Sequence, residues 1–236
     1  MNARDEWNLT QSMMAGDFNP YHDPINGRFA SGHKFFSQID KATREVKPEY
    51  YPKMAEELGV SVEEAKAMAD AVNYYTRHSV QFREYTKDPE KYAAKYGKDA
   101  AAKERDRLAL IESFLEKSPK WKGGRLYRGF ESDDARIARL KAGEVVNLGG
   151  PSSWSSDKSV SEIFAGNVRG ISIGQQKSVI LVTNKKETLF GASVRHLSGA
   201  PTDEREVLVT GDARFIPSGK VVDLGSVVYV YGDIGA

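Results

Sequence analysis

Three short stretches hold the side chains best suited to chemistry. In the first, Pro201-Thr202-Asp203-Glu204-Arg205-Glu206-Val207-Leu208-Val209, two carboxylates stand two residues apart at the head of an apolar run. On a strand, residues i and i+2 point to the same face. Glu204 and Glu206 are therefore expected side by side where a loop enters the strand, although a solvated strand edge carries the same pattern. In the second, Leu126-Tyr127-Arg128-Gly129-Phe130, an arginine lies within an apolar, aromatic strand. Burying its charge is costly unless the guanidinium meets an anion. Its planar fork suits phosphate or carboxylate, and Gly129 lets a ligand approach the backbone. A structural ion pair would use Arg128 equally well. In the third, Gly149-Gly150-Pro151-Ser152-Ser153-Trp154-Ser155-Ser156-Asp157, alternation sets the hydroxyls of Ser153 and Ser155 on one face. Asp157 is placed to cap the helix that follows, and serine-rich turns of this kind also occur with no chemistry attached.

The elements that must position these groups fall into two halves. Ser61 and Glu64 form a capping box before VEEAKAMADAVNYYTRHSVQFREYTK. In that segment Ala65, Met68, Ala69, Val72 and Tyr75 recur at helical spacing and predict one buried stripe. Asp88-Pro89 opens a short helix ending near Gly97. A long helix follows with Leu108, Ile111 and Leu115 on its apolar face and Pro119 after its end. From Lys122 onward glycines multiply and β-branched runs appear, as in GGRLYRGF, KSVILVTN, REVLVT and VVYVYGD. Helices first and strands afterwards predict an α+β fold. The expected organisation is an arm over 1–32 and a single domain over 33–236, helical over 33–121 and β-rich over 122–236.

Composition excludes several classes. The chain has 236 residues, with 34 Lys+Arg against 33 Asp+Glu, a balance unlike that of a general nucleic-acid binder. With no cysteine there is no disulfide, thiolate nucleophile or cysteine-based metal site. His22, His33, His78 and His196 lack metal-ligand spacing, so no metal is expected. No apolar run is long enough to span a membrane. MNARDEWNLTQSM has no apolar core, so no ordinary signal peptide is expected. Neither a P-loop nor a dinucleotide glycine fingerprint is present.

In their order and spacing, the three motifs resemble the mono-ADP-ribosyltransferases of the arginine–serine–glutamate class. That class includes the clostridial C3-like and binary toxins and phage-encoded transferases. Leu126-Tyr127-Arg128-Gly129 looks like the first motif, Ser153-Trp154-Ser155 like the Ser-Thr-Ser motif, and Glu204-Arg205-Glu206-Val207-Leu208 like the Glu-X-Glu motif. AVNYYTRHSVQFREY resembles the helices that precede them, and the likeness spans roughly 60–236. Trp154 departs from the family's threonine, and its side chain is expected to point away from the serines. Separately, Asn19-Pro20, His22-Asp23-Pro24 and Gly27-Arg28-Phe29-Ala30-Ser31 resemble a short linker of bacteriophage head-assembly polypeptides.

The resemblance implies an N-terminal helical bundle packed on a split, mainly antiparallel β-sandwich. It implies NAD as co-substrate, a protein as acceptor, and release of nicotinamide. Breaking the ribose–nicotinamide bond builds oxocarbenium character, as in glycoside hydrolysis. Glu206 is the implied stabiliser of that charge, with Ser153 orienting it. Arg128 binds the NAD phosphates, Gly129 offers backbone contacts to nicotinamide, Phe164 packs beside it, and Arg169 adds a phosphate contact. Tyr127 and Ser155 complete the NAD-binding set. Glu204 positions the acceptor, and in the family a glutamate there goes with arginine, whose protonated guanidinium needs a carboxylate. A monomer with neither membrane nor nucleic-acid partner is expected, acting as a phage-borne or bacterial effector in a phage particle or host cytoplasm, or exported by a non-classical route. Two other readings stand beside this one: an inactive virion structural protein, and an NAD glycohydrolase that modifies nothing.

Overall fold

The computed structural model of the chain describes residues 45–168, 171–172, 177–199 and 204–236. The expected arm over 1–32 and Arg169 lie outside those residues. Helix-forming sequence fills the first part. After α1 (Tyr51–Leu58), Ser61 caps α2 (Val62–Lys87), and the Glu64 carboxylate accepts back from the Ser61 amide at 3.0 Å. The predicted stripe Ala65, Met68, Ala69, Val72 and Tyr75 is buried throughout. α2 kinks at His78, whose backbone leaves the helical region (φ −128, ψ 29). The cause is local: His78 Nδ1 lies 3.1 Å from the Tyr74 carbonyl, which a regular helix gives to the amide of residue 78. α3 (Pro89–Tyr96) and α4 (Lys98–Lys117) follow, and Ile111 and Leu115 of α4 pack against α2 in one core.

The remaining strands and helices build the sheet that the helices cover. They are β1 (Tyr127–Ser132), α5 (Asp134–Lys141), β2 (Val146–Asn147), β3 (Ser152–Ser155) and α6 (Lys158–Phe164). Then come β4 (Asn167–Val168), β5 (Ile171–Ser172), β6 (Lys177–Thr183), β7 (Gly191–Ser193), β8 (Glu206–Val209), β9 (Arg214–Asp223) and β10 (Val227–Gly235). Eight strands form one sheet in the order β2-β9-β10-β6-β1-β3-β8-β7, and β4 pairs with β5 apart from it. All neighbours run antiparallel except β6 and β10. The α+β class expected from the sequence is the class found.

Among the described residues the eight strands form a continuous sheet that is nearly parted between β1 and β3, which share the single register pair Tyr127↔Ser155. The two flanks still bury a common core, with Leu126, Leu181, Val228 and Val230 from one and Trp154, Val207 and Val209 from the other. The helices cover the opposite face of the short flank through Ala192, Val194, Leu197 and Leu208. Alternation along β8 divides the work: Glu206 and Leu208 share one face, Val207 and Val209 the other.

Gly129 fixes how closely α6 lies on β1. A Cβ there would strike the Ser161 carbonyl oxygen and come within 2.7 Å of its carbon and 3.0 Å of the Ala165 nitrogen. Gly129→Ala must push α6 outward and is expected to cost about 1–3 kcal/mol. Urea unfolding checks this, and an unchanged midpoint would contradict the packing.

Candidate active site

The near-parting of the sheet places the chemistry. β3 pairs with β8 in the register Ser153↔Leu208 and Ser155↔Glu206. Trp154 turns the other way, into the core, with its ring 5.9 Å from Phe215 and its Nε1 donating to Ser152 Oγ at 3.1 Å. The expectation for Trp154 is met: its indole fills the core behind the serines.

Glu206 opens β8 and is 3% exposed. Ser153 and Ser198 hydroxyls hydrogen-bond its carboxyl, while Oε2 finds no partner among the described residues. Burial raises its pKa above the usual carboxylate range, and the two hydroxyls oppose that in part. From β1, Arg128 Nη1 donates to the Ser153 carbonyl at 3.2 Å across the parting. Burial, with Arg83 and Arg136 repelling it, holds the Arg128 guanidinium down to about 10, so it stays cationic at neutral pH. These groups line a cleft of about 370 Å³ whose wall also carries Tyr127, Gly129, Ser155, Phe164 and Glu204. Phe164 ends α6 and, at 58% exposure, lines the cleft from its open side.

One predicted side chain, that of Glu204, is placed differently from expectation. β8 begins at Glu206, and Arg205 before it has φ 46, the left-handed region that side chains rarely adopt. The strand alternation expected of Glu204 and Glu206 is therefore broken between them, and Glu204 stands on the loop. Hydrogen bonds hold that turn: Ser155 Oγ donates to the Glu204 carbonyl at 2.7 Å, and the Ser156 amide to the Arg205 carbonyl at 3.2 Å. Arg205 also lies 3.5 Å from Asp157. Ser155 thus spends its proton on the chain and accepts from the Asp157 amide at 3.0 Å, so its hydroxyl builds the wall. Asp157 caps α6, as the sequence suggested.

Helix α2 supplies what the motifs alone could not show. Asn73 Nδ2 donates to the Leu197 carbonyl at 2.9 Å, and the Gly199 amide donates to Thr76 Oγ1 at 2.9 Å. Together they clamp the turn that carries Ser198. Tyr75 donates to the Pro151 carbonyl at 2.9 Å. Beyond the kink, Ser79 and Arg83 reach the cleft, and Arg136 of α5 joins them with its guanidinium over the Phe130 ring at 4.9 Å. The one signal for this in sequence was polar residues, Asn73 and Thr76, interrupting an apolar stripe.

No family model matches the chain, and no curated protein sequence matches it. Solved structures do. The ADP-ribosyltransferase Vis of Vibrio splendidus, in complex with M6 inhibitor, superposes with a TM-score of 0.60 at 20% identity, over 92% of this chain and 91% of that one. Its complex with agmatine gives 0.59 at 19% identity, over 90% and 89%. The Clostridium limosum C3 exoenzyme gives 0.52 at 13% identity, over 84% and 96%. Exoenzyme S from Pseudomonas aeruginosa, bound to carba-NAD and human 14-3-3 protein beta, gives 0.50 at 14% identity, over 95% and 88%. The chain has the fold of these mono-ADP-ribosyltransferases, as the sequence resemblance implied.

A buried carboxyl of raised pKa binds more protons folded than unfolded between its two pKa values. Wild-type stability therefore falls as pH rises through that window, and Glu206→Gln removes the effect. The variant's melting temperature should exceed the wild type's by more at pH 8 than at pH 5. Equal differences at both values would show that Glu206 is not strained by burial.

Proposed function

We propose that the chain is a mono-ADP-ribosyltransferase that moves ADP-ribose from NAD to a protein side chain, most favourably arginine. One observation carries the reading. Arg128, Ser153 and Glu206 converge on a single cleft at the sheet's parting, where a buried carboxylate oxygen has no partner among the described residues.

The residues present suit NAD. Three arginines, 83, 128 and 136, share the cleft and repel one another, so a dianionic pyrophosphate relieves them. The exposed Phe164 ring offers a flat apolar surface at the rim. NAD supplies an ADP-ribosyl group on a good leaving group, nicotinamide. In transfer, the bond from the ribose anomeric carbon to the nicotinamide nitrogen breaks with its electron pair leaving on nicotinamide. A bond to the acceptor nitrogen forms, and that nitrogen loses a proton. Glu206 faces the positive charge that builds on the sugar, fixed in place so that nothing reorganises as the charge appears. Ser153 and Ser198 hold its carboxylate. Glu204, on the loop side of the cleft, orients the acceptor guanidinium and takes its proton. The agmatine complex of Vis, an arginine-like amine in a protein of this fold, supports arginine as acceptor.

The glycohydrolase reading keeps Glu206 and has no use for Glu204, so the presence of Glu204 on the same cleft favours transfer. A phage-borne or bacterial effector is the setting we favour. The names of the fold's toxin members and the likeness of residues 18–32 to a phage linker support it.

Purified protein with labelled NAD, and either agmatine or a bacterial lysate, tests the function. Wild type is expected to release nicotinamide and label the acceptor. Glu206→Gln should lower both by about 10²–10³. Glu204→Ala should lower labelling of agmatine by about 10² and nicotinamide release far less. Label confined to serine or asparagine in lysate proteins would overturn the arginine assignment. The rate of nicotinamide release should also fall with acid at a pH above the ordinary carboxylate range, because Glu206 works ionised and burial raises its pKa.

A further inference from the structure

Tyr75 does not reach the cleft. It lies 1% exposed on α2, its ring edge-on to Phe82 at 5.3 Å. Its hydroxyl donates to the Pro151 carbonyl at 2.9 Å, which commits its single proton. The phenol oxygen is then an acceptor, and Ser153 Oγ donates to it at 3.3 Å. That same serine hydroxyl is a hydrogen-bond partner of Glu206. A serine hydroxyl has one proton, so it cannot serve Tyr75 and an ionised Glu206 together.

We infer that Tyr75 is a positioning residue that sets the direction of the Ser153 hydroxyl, and through it the hydrogen bonding of Glu206. Two arrangements satisfy every group. With Glu206 protonated, its own O–H points to Ser153 Oγ and the serine proton points to Tyr75. With Glu206 ionised, the serine proton turns to the carboxylate, and Tyr75 keeps its bond to Pro151. No bond to carbon, and no proton beyond the one Glu206 loses, is involved in the exchange. Tyr75 thus stabilises the protonated arrangement by accepting the serine proton, and removing its oxygen leaves that proton to Glu206 alone.

The other groups around Glu206 are constant in both arrangements. Among the described residues they are the Ser198 hydroxyl from the turn after β7 and the charged groups that share the cleft: Arg128 and Glu131 from β1, Arg83 from α2, Arg136 from α5, and Glu204 from the loop before β8. Burial of Glu206, whose Oε2 has no partner among the described residues, gives the direction of the serine proton its leverage, since a buried hydrogen bond gained or lost has no water to replace it.

This rests on the proposed function only for its kinetic consequence, so the test has a readout that needs no activity. In the full chain, the Glu206 carboxyl is titrated by carbon-13 NMR in wild type, Tyr75→Phe, Ser153→Ala and the double variant. Tyr75→Phe keeps the ring packed against Phe82, and thermal melting confirms folding. Glu206 should titrate at lower pH in Tyr75→Phe than in wild type. The same substitution in the Ser153→Ala background should have no effect. An unchanged titration in Tyr75→Phe, or an equal shift without Ser153, would overturn the inference. In nicotinamide release, Tyr75→Phe should run about threefold to tenfold faster than wild type on the acid limb. If wild type releases no nicotinamide, the proposed function fails, and the NMR cycle still decides the inference.

Discussion

Between β1 and β3 the sheet keeps one register pair, Tyr127 with Ser155, and the site depends on that economy. Backbone groups that leave a ladder need other partners. The Ser153 carbonyl finds one in Arg128, which reaches it across the parting. A fully laddered junction would commit the Ser153 carbonyl to the neighbouring strand and leave the part-buried Arg128 guanidinium without that acceptor. The opening lets an arginine, a serine and a glutamate from three different strands face one volume. The flanks are held apart without tearing because Trp154, Val207 and Val209 pack against Leu181, Val228 and Val230 behind it.

The buried carboxylate sets the second constraint. Glu206 sits at 3% exposure, where ionisation is penalised, and the surroundings only partly offset it. The helical layer supplies that offset indirectly. Asn73 and Thr76 clamp the turn bearing Ser198, and Tyr75 reaches both the Pro151 carbonyl and Ser153. α2 is therefore more than a cover for β7 and β8. Its first half builds the core, and past the kink at His78 it delivers Ser79 and Arg83 to the cleft.

Among the described residues, Arg205, in the turn between the two carboxylates, is the one non-glycine residue with a positive φ. Arg205 holds φ 46 under hydrogen bonds from Ser155 and Ser156 to the carbonyls on either side. Such conformations persist where the surroundings over-determine them, often at functional sites. Here the turn sets Glu204 on the loop and Glu206 on the strand, so one carboxylate stands where the loop meets the cleft and the other is buried.

Much of this was legible in the sequence, for identifiable reasons. The capping box of Ser61 and Glu64 and the stripe from Ala65 to Tyr75 are local patterns, and local hydrogen bonds and helical period fix them. Arg128, Ser153, Glu204 and Glu206 announced themselves by residue type against their background. β9 carries Pro217 and Gly219, residues that weaken a strand pattern; it tolerates them where its register with β10 shifts, opposite Gly232. Helix α5 carried a capping Asp133 that was overlooked. The sequence alone therefore determined the α+β class, the main helices and the chemical types at the site. Only the tertiary structure decided that the sheet is single and nearly parted, that Arg205 breaks the pairing of the glutamates, and that Tyr75, Asn73 and Ser198 support Glu206. Those depend on contacts that span the sequence, from 49 positions for Ser155 with Glu204 to 124 for Asn73 with Leu197, and no local pattern encodes which hydroxyl a buried carboxylate will meet.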